Sequence, residues 1–342
     1  MFVPTYNITN RILATIIEIE KTNCKIEPLV LPYKTYQKLY NRRKVSEIFK
    51  LSEILRIKLK LETAEKINEG KEVFSKDIEI KILNNYRSAE EFVKTYNSTQ
   101  FMPPSLQLLK HLNSILGRDI VDEWELGKIR EHTEYPESIY NSWYKYFDKT
   151  FTKEIDKHVE SVFDWIISEV YNIHKLIKVS VLLYELIDKA PLLYFNQITT
   201  ILLIKTLLKD YGYNNGNLLK VAELFNRYES EISTSFVNSK KTNDYTGFIE
   251  TFLNALKLLT DELFLELETT YNNNVLKKAD MSVDLNTRQI EVLEYLSIQK
   301  KITRSEYEKL FNISFMTAYR DLQELTDKKY LKQKGVGRGT FY

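Results

Sequence analysis

The sequence predicts a mainly α-helical protein, in which a helical body is followed by a small helical domain that closes with a β-hairpin. Apolar residues recur at helical spacing along most of the chain, which is the primary signal of amphipathic helices. Only 9 glycines and 7 prolines occur in 342 residues, whereas sandwiches and barrels are richer in turn-forming residues. The apolar share of 43% and the charged share of 28% are typical of a globular chain with a sizeable core.

Residues 1–100 are expected to form an N-terminal helical region. Thr9 or Asn10 can cap its first helix, because a side-chain oxygen at that position accepts a bond from the first turn. Gly70 can end a later helix, since glycine is favoured just past a helix C-terminus. The predicted helices of this region cover residues 8–28, 35–68 and 76–98.

Residues 101–240 are expected to form a helical core, and residues 241–285 a helical connector that ends in a linker. Ser105 is a suitable cap for the first helix of this core. The segment 196–211 is strongly apolar and ends at Gly212. Helices are predicted at 106–116, 138–148, 154–171, 174–189, 196–211, 215–240 and 246–278, with the linker at 279–285.

Residues 286–342 are expected to form a separate C-terminal domain. Its helices are predicted at 287–296, 304–311 and 314–328, and its hairpin strands at 330–334 and 340–342 around a turn at 335–339. This order resembles the winged helix-turn-helix modules that are common in bacterial regulators. The region carries 11 Lys and Arg against 7 Asp and Glu, a net charge of +4, and the rest of the chain carries −2. A basic end on a near-neutral body favours contact with nucleic acid.

The winged-helix resemblance implies that the third helix of this domain enters the major groove of DNA with its first turns nearest the base edges. The expected DNA-binding residues are Phe315, Thr317, Tyr319 and Arg320 on this helix, with Arg304 and the wing-tip Arg338 on phosphates. One module of this kind binds weakly, so specific binding calls for a homodimer. The alternative is that the helix-turn-helix only packs against another subunit.

The cysteine and histidine content, the N-terminal segment and the apolar stretches predict a cytoplasmic protein without a membrane segment or a metal site. Cys24 is the only cysteine, which excludes a disulfide framework and fits a reducing compartment. The N-terminus lacks the pattern of a signal peptide, and the longest apolar stretch is interrupted by Lys205. None of the four histidines pairs with another His or Cys at helical spacing, so no zinc site is expected.

The stretch from His174 to Tyr213 carries the strongest clue to a family. Two helical segments flank Ala190-Pro191-Leu192-Leu193-Tyr194-Phe195-Asn196-Gln197, and the second ends in Gly212-Tyr213. This arrangement resembles the core helix pair of the Fic family, where the motif H-P-F-x-[DE]-G-N-G-R-x-x-R lies between the helices. Three further segments agree in order and spacing, so that the resemblance covers roughly residues 1–240. Residues 61–70 resemble the inhibitory helix of the family, 85–89 its following helix, and 126–130 its Pro-Gly-x-x-Arg turn.

The Fic resemblance implies chemistry that this sequence no longer supports. Active members transfer a nucleotide monophosphate from ATP to a hydroxyl group, with a histidine base, an acidic Mg²⁺ ligand, glycine amides on the phosphates and two arginines. The degenerate positions are Ala190 for the base, Tyr194 for the acid, Phe195-Asn196-Gln197 for the Gly-Asn-Gly turn, and Ile198 and Ile201 for the arginines. Only Pro191 and Asn196 match the motif, so no cofactor is expected, and ATP and Mg²⁺ only if this alignment is mistaken.

The inhibitory-like segment departs from the family as well. Glu69 stands where active members place an inhibitory glutamate, but the arginine that this glutamate would bind is replaced by Ile201. A solvated carboxylate at a helix end is therefore the expected role of Glu69.

These observations together predict a catalytically inactive Fic-like protein that regulates through DNA binding. Two alternatives remain open at this stage: a protein adenylyltransferase with an unconventional active site, and a non-catalytic module that binds a protein partner. An unrelated helical bundle is the further alternative to the Fic resemblance itself.

Overall fold

The computed structural model describes the backbone of residues 2–71, 77–100, 102–131, 154–168, 172–299, 301–335 and 340–342. The prediction of a mainly α-helical chain is confirmed. The α-helices are α1 (Asn10–Ile26), α2 (Tyr33–Ile54), α3 (Leu61–Asn68), α4 (Ile78–Thr95), α5 (Leu106–Gly117), α6 (Ile155–Ile167), α7 (Lys175–Lys189), α8 (Asn196–Asp210), α9 (Val221–Arg227), α10 (Glu229–Thr242), α11 (Thr246–Asp284), α12 (Thr287–Gln299), α13 (Arg304–Phe311) and α14 (Phe315–Asp327). The predicted helix at 138–148 lies outside the described residues.

The chain divides into two compact units. Unit 1 contains Met1–Pro28 and Tyr40–Leu265, and unit 2 contains Leu29–Leu39 and Glu266–Tyr342. The division of the sequence into four regions remains a prediction. At residues 279–284, where a linker is predicted, the helix α11 continues without a break. This segment has no glycine or proline that would end a helix.

The core of unit 1 is built around α7 and α8, which pack against each other and are covered by α4, α5, α6 and α9. Almost every residue of these two helices is buried. Ser180, Thr199 and Thr206 can lie in this apolar setting because each hydroxyl donates to the carbonyl four residues earlier, at 2.7–2.8 Å. The hydroxyls therefore have partners without water, which keeps the cost of their burial small.

A buried cluster of charged residues is centred on Lys205 of α8. Lys205 is surrounded by Glu47 and Glu90, and its ammonium group contacts both carboxylates. Glu47 also accepts hydrogen bonds from the Tyr86 hydroxyl at 3.3 Å and from the backbone amide of Ala222 at 3.0 Å. This cluster explains how a lysine is tolerated inside an otherwise apolar helix, since a buried charge must be paired.

The first residues of the chain are fixed by residues far away in sequence. The backbone amide of Tyr245 donates to the Thr5 carbonyl at 2.8 Å, and the amide of Asn7 donates to the Thr246 hydroxyl at 2.8 Å. Thr9 caps α1 as predicted, accepting from the Ile12 amide at 3.1 Å, and its hydroxyl donates to Glu250 at 2.6 Å. The N-terminal segment is thereby attached to the start of α11.

Two predicted long helices are each divided in the structure. The stretch 35–68 forms α2 and α3 with a turn between them, where Arg56 has a positive φ of 59°. The stretch 215–240 forms a 3₁₀ turn followed by α9 and α10, which meet at Tyr228. Helical periodicity continued across both breaks because each break is short enough to leave the apolar pattern almost in phase.

Unit 2 contains three short helices with well-formed ends. Thr303 and Glu306 form a reciprocal capping box at the start of α13. Asn312, in the left-handed conformation, ends α13, and Ser314 caps α14 by accepting from the Thr317 amide. The turn between the two helices is therefore three residues long. The core of unit 2 contains Leu285, Val292, Ile302, Tyr307, Ala318, Leu322, Leu325 and Tyr342.

The predicted β-hairpin is not seen in the part of the chain that the structure describes. Residues 330–334 do not form a strand, because Lys329 takes a left-handed conformation and the Tyr330 and Leu331 amides both donate back to the Leu325 carbonyl. Among the described residues of 330–342, a single antiparallel bridge pairs Lys334 with Phe341. Tyr342 in turn exchanges two backbone hydrogen bonds with Ile302, at 2.9 and 3.0 Å.

Across the described ranges, no helix is both long enough and apolar enough to cross a membrane.

Candidate functional site

The loop between α7 and α8 holds the residues that the sequence marks as a degenerate motif. Ala190 follows the last residue of α7 with φ 38° and ψ 64°, and Phe195 precedes α8 with φ 56° and ψ 30°. Both conformations are left-handed, which is unfavourable for residues with a Cβ atom. The surrounding structure must therefore hold this loop in place.

Arg130 is the first of the groups that hold the loop. Its guanidinium is buried and donates to the carbonyl of Ala190 at 2.9 Å and to that of Lys189 at 3.0 Å. The two backbones also pair, because the Arg130 amide donates to the Pro191 carbonyl and the Leu193 amide donates to the Lys128 carbonyl. The segment that resembles the Pro-Gly-x-x-Arg turn thus binds directly to the motif loop.

Two asparagines hold the rest of the loop through side-chain hydrogen bonds. Asn196 accepts from the Leu192 amide at 2.9 Å and donates to the Leu192 carbonyl at 2.6 Å. Asn113, from α5, donates to the Tyr194 carbonyl at 2.9 Å and to the Thr199 hydroxyl at 3.0 Å. The side chain of Asn196 is therefore engaged by the loop itself, which gives this residue a structural role.

The positions that the sequence analysis aligns with the Fic motif are buried or half-buried. Ala190 is 4% exposed, and Ile198 and Ile201 are completely buried. None of these residues offers an imidazole, a carboxylate or a guanidinium, and Tyr194 is half-buried. Among the described residues, no group of three His, Cys, Asp or Glu side chains could hold a metal ion.

Glu69 directly follows the last residue of α3. Its carboxylate pairs with Lys71 at 2.5 Å, and both side chains are more than half exposed. Glu69 also lines a shallow cleft of about 480 Å³ between α2 and α3, together with Arg42 and Glu65. The carboxylate thus lies in solvent at a helix end.

The second candidate site is the outward face of α14 in unit 2. Phe315, Met316 and Tyr319 are 50%, 69% and 43% exposed, and Arg320 is exposed beside them. Thr317 is half-buried, and its hydroxyl lies 2.9 Å from that of Ser314. A cleft of about 550 Å³ on this face is lined by Met316, Thr317, Tyr319, Arg320, Gln323, Glu324 and Asp327.

Arg304 is brought next to this face by the turn between α13 and α14. Its guanidinium carbon lies 3.9 Å from the centre of the Phe315 ring, which is stacking distance for a cation–π contact. Two of the predicted DNA-binding residues therefore contact each other. Arg338 lies outside the described residues.

Asp321 faces the interior of unit 2, although an acidic residue in this helix would be expected to weaken binding to DNA. It is 1% exposed, and its carboxylate accepts from Arg288 at 2.9 and 3.0 Å, from Asn286 at 3.1 Å and from the Tyr307 hydroxyl at 3.2 Å. Burial and this carboxylate raise the pKa of Tyr307. The negative charge of Asp321 is thereby neutralised within the fold.

Sequence reasoning did not single out Met316, the most exposed apolar residue of α14, or the loop-holding role of Arg130. Met316 could have been found from spacing, because it lies three residues before Tyr319 and seven before Gln323 on the same helical face. No sequence signal shows that Arg130 would be buried against carbonyl groups.

No protein-family model matches this sequence, and no curated protein does. Solved structures do match the fold. A Fic family protein from Desulfovibrio desulfuricans G20 is similar with a TM-score of 0.60 and 15% identity, over 100% of this chain and 98% of that one. Fic-1 from C. elegans is similar with a TM-score of 0.57 and 14% identity, over 75% of this chain and 72% of that one. The fold is that of Fic family proteins.

A further Fic-fold structure agrees with this assignment. A Fic domain containing signaling protein from Bacteroides thetaiotaomicron VPI-5482 is similar with a TM-score of 0.50 and 13% identity, over 75% of this chain and 95% of that one. At such low identities the likeness concerns the Fic fold alone. The activity of this chain must be argued from its own residues.

Proposed function

We propose that this Fic-fold chain has no nucleotidyltransferase activity and binds DNA through the first turns of α14. The observation that carries the proposal is the division of α14 into two faces. Its inner face packs with Ala318, Leu322 and Leu325 and keeps Asp321 buried, while its outer face presents exposed aromatic, apolar and basic side chains.

The absence of catalysis is supported by what occupies the loop between α7 and α8. A general base alone typically contributes about 10²–10⁴-fold to a rate, and an alanine stands at that position. Ile198 and Ile201 form part of the buried core and offer no charge to a phosphate group. The guanidinium of Arg130 does contact this loop, but it is bound to the Ala190 and Lys189 carbonyls.

Binding to DNA is supported by the charges around α14. Arg320 is exposed on its outer face. Of the two acids further along, Glu324 pairs with Lys328, and Asp327 accepts a hydrogen bond from Gln323. Exposed cations elsewhere in unit 2 can approach phosphates, which supply affinity without specificity. They are Lys301, Lys309, Lys329, Lys332 and Lys334.

The three-residue turn between α13 and α14 is typical of a helix-turn-helix, in which the second helix enters the major groove. A winged helix-turn-helix is therefore the module that we propose for residues 286–342. A homodimer would give two such helices and the affinity needed for a specific site. A cytoplasmic location belongs to the same proposal, because the DNA must be accessible.

DNA binding can be tested by incubating the purified full-length protein with a pool of random-sequence duplexes and sequencing what is retained. Binding should weaken steeply with salt, because phosphate contacts release counterions. Arg320→Ala should weaken binding by about tenfold or more, since a charged contact to a base edge is worth about 1–3 kcal/mol. Arg118→Ala removes an exposed arginine from unit 1 and should leave binding unchanged. Retention of no duplex at low salt would contradict this part of the proposal.

The absence of nucleotidyltransferase activity can be tested with ATP labelled in the α-phosphate, first with Mg²⁺ and then with Mn²⁺. No label is expected on the protein itself or on proteins of a lysate. Glu69→Gly should be equally inactive, because the Glu69 carboxylate pairs with Lys71 in solvent. Transfer of label by either protein would show that an unconventional adenylyltransferase site exists.

A protein-binding role is the second candidate, and the exposed apolar residues of α13 and α14 favour it. Leu310, Phe315 and Met316 are each about half exposed or more, and exposed apolar residues that cluster can mark a protein interface. A partner that competes with DNA for this face would assign it to protein binding. A partner that binds equally well to a Met316→Ala variant would not.

A further inference from the structure

The outer face of α14 begins with three large side chains that offer mainly apolar surface. The side chains of Phe315 and Met316 contain no hydrogen-bond donor, and the only donor of Tyr319 is its hydroxyl. All three are exposed in the first two turns. In a helix that enters the major groove, these turns lie closest to the base edges.

The polar side chains of the same face are largely engaged within the helix. The Thr317 hydroxyl contacts that of Ser314 at 2.9 Å, and the Gln323 amide donates to Asp327 at 3.0 Å. Arg320 therefore has the best opportunity to bind a base edge through hydrogen bonds. The residues that commonly read adenine in the major groove, asparagine and glutamine, are missing from the first two turns of α14.

The four bases differ in what they offer to an apolar side chain. Thymine alone presents a methyl group in the major groove, and contact between this methyl and an apolar side chain is an established means of discrimination. We propose that α14 recognises thymine through its 5-methyl group, with Met316 as the principal contact and Phe315 and Tyr319 beside it. This inference rests on the proposed binding of DNA by α14.

The Arg304 contact fits this assignment. The guanidinium covers one face of the Phe315 ring at 3.9 Å, which restricts the ring and places a positive charge at the start of α14. That charge can meet a phosphate while the edge of the ring and the neighbouring Met316 face the bases. The site would combine one cation on the backbone with an apolar contact in the groove.

The test uses two pools of random-sequence duplexes, one synthesised with thymine and the other with uracil, so that they differ only in the 5-methyl group of each thymine. Pairing and charge are the same in both. The full-length protein should retain mainly duplexes of the thymine pool, and these should share thymines at fixed positions. Replacing those thymines by uracil in a retained duplex should weaken binding about fourfold per contacted methyl, since each buried carbon of this kind contributes about 0.8 kcal/mol.

Variants assign the effect to α14. Met316→Ala should bind thymine and uracil versions of the retained duplex almost equally, because the side chain that contacts the methyl is gone. Leu310→Ala is the matched control, since it also removes an exposed apolar side chain of unit 2 but from α13, and it should keep the full difference. Both residues are exposed, so neither variant should impair folding.

The outcomes separate the inference from the proposed function. Equal binding of thymine and uracil duplexes, with a loss of affinity in Arg320→Ala, would overturn methyl recognition and leave DNA binding in place. A thymine preference that persists undiminished in Met316→Ala would overturn the assignment to this residue. If neither pool is retained, both DNA binding and methyl recognition are contradicted.

Discussion

The guanidinium of Arg304 stacks on the ring of Phe315, with 3.9 Å between the guanidinium carbon and the ring centre. The contact joins the first residue of α13 to the first residue of α14. It therefore links the start of the helix that precedes the turn to the start of the helix that is proposed to enter DNA.

Arg304→Ala should weaken binding to all duplexes by a similar factor, because a phosphate contact carries no sequence information. The slope of log affinity against log salt should decrease by about one unit, as expected for the loss of one phosphate contact. Arg304→Lys keeps the charge but not the planar stack, and it should retain most of the slope. Loss of preference among sequences, with an unchanged slope, would mean that Arg304 contacts a base.

Asp321→Ala should destabilise unit 2 by about 2–3 kcal/mol. The substitution leaves the buried Tyr307 hydroxyl without its acceptor and removes the partner of Arg288, and unpaired buried groups cost about 1–3 kcal/mol each. The partly exposed Arg288 can turn towards water, which limits its share of the loss. Asp327→Ala removes an exposed acid from the same helix and should change stability little. Chemical denaturation with a probe in unit 2 provides the measurement.

The stability of unit 1 should depend on pH through Glu47. Burial raises the pKa of this carboxyl, the charge of Lys205 lowers it, and the charge of Glu90 raises it further. A raised pKa means that the folded protein binds a proton that the unfolded chain has already released above its ordinary pKa of 4.5. The stabilising contribution is therefore complete below that value and is lost as the pH rises through the raised pKa.

Glu47→Gln removes this titration, so the stability of the variant relative to the parent should increase as the pH rises from the ordinary pKa through the raised pKa. Urea denaturation at a series of pH values measures the difference. Glu53→Gln is a suitable control, because Glu53 is exposed and pairs with Lys50. Parallel pH profiles for the parent and Glu47→Gln would contradict the assignment.

Ala190→Gly should change the stability of unit 1 by less than about 1 kcal/mol in either direction. Relief of the left-handed conformation favours glycine by about 1–2 kcal/mol, while loss of a buried methyl and greater freedom of the unfolded chain oppose it. Ala89→Gly, in the interior of α4, gains no such relief and should be destabilising by more than 1 kcal/mol. Similar losses in both variants would show that the conformation of Ala190 carries little strain.

Periodicity and capping residues predicted most helices of the chain. Thr9 and Ser105 each cap a helix at the predicted position. These signals are local, and they depend on backbone groups within one turn. The breaks near Arg56 and Tyr228 escaped detection because neither contains glycine or proline, and a positive φ at arginine has no sequence signature.

The candidate site was predictable only in part. The exposure of Phe315, Tyr319 and Arg320 follows from helical spacing once Ala318 and Leu322 are placed inside. The inward orientation of Asp321 depends on donors from Asn286, from Arg288 of α12 and from Tyr307 of α13. Such long-range pairing cannot be seen in a local pattern. The same applies to Lys205, whose partners Glu47 and Glu90 lie more than one hundred positions away in sequence.

The hydrogen bonds of the first residues to the start of α11 also bear on how unit 1 is made. Asn7 and Thr9 find their partners 239 and 241 positions later. At a synthesis rate of about 5–20 residues per second, the beginning of the chain waits roughly 10–50 s for these partners to be synthesised. During that interval the apolar face of α1 lacks part of its cover. A nascent chain of this protein is therefore expected to engage chaperones until translation has passed α11.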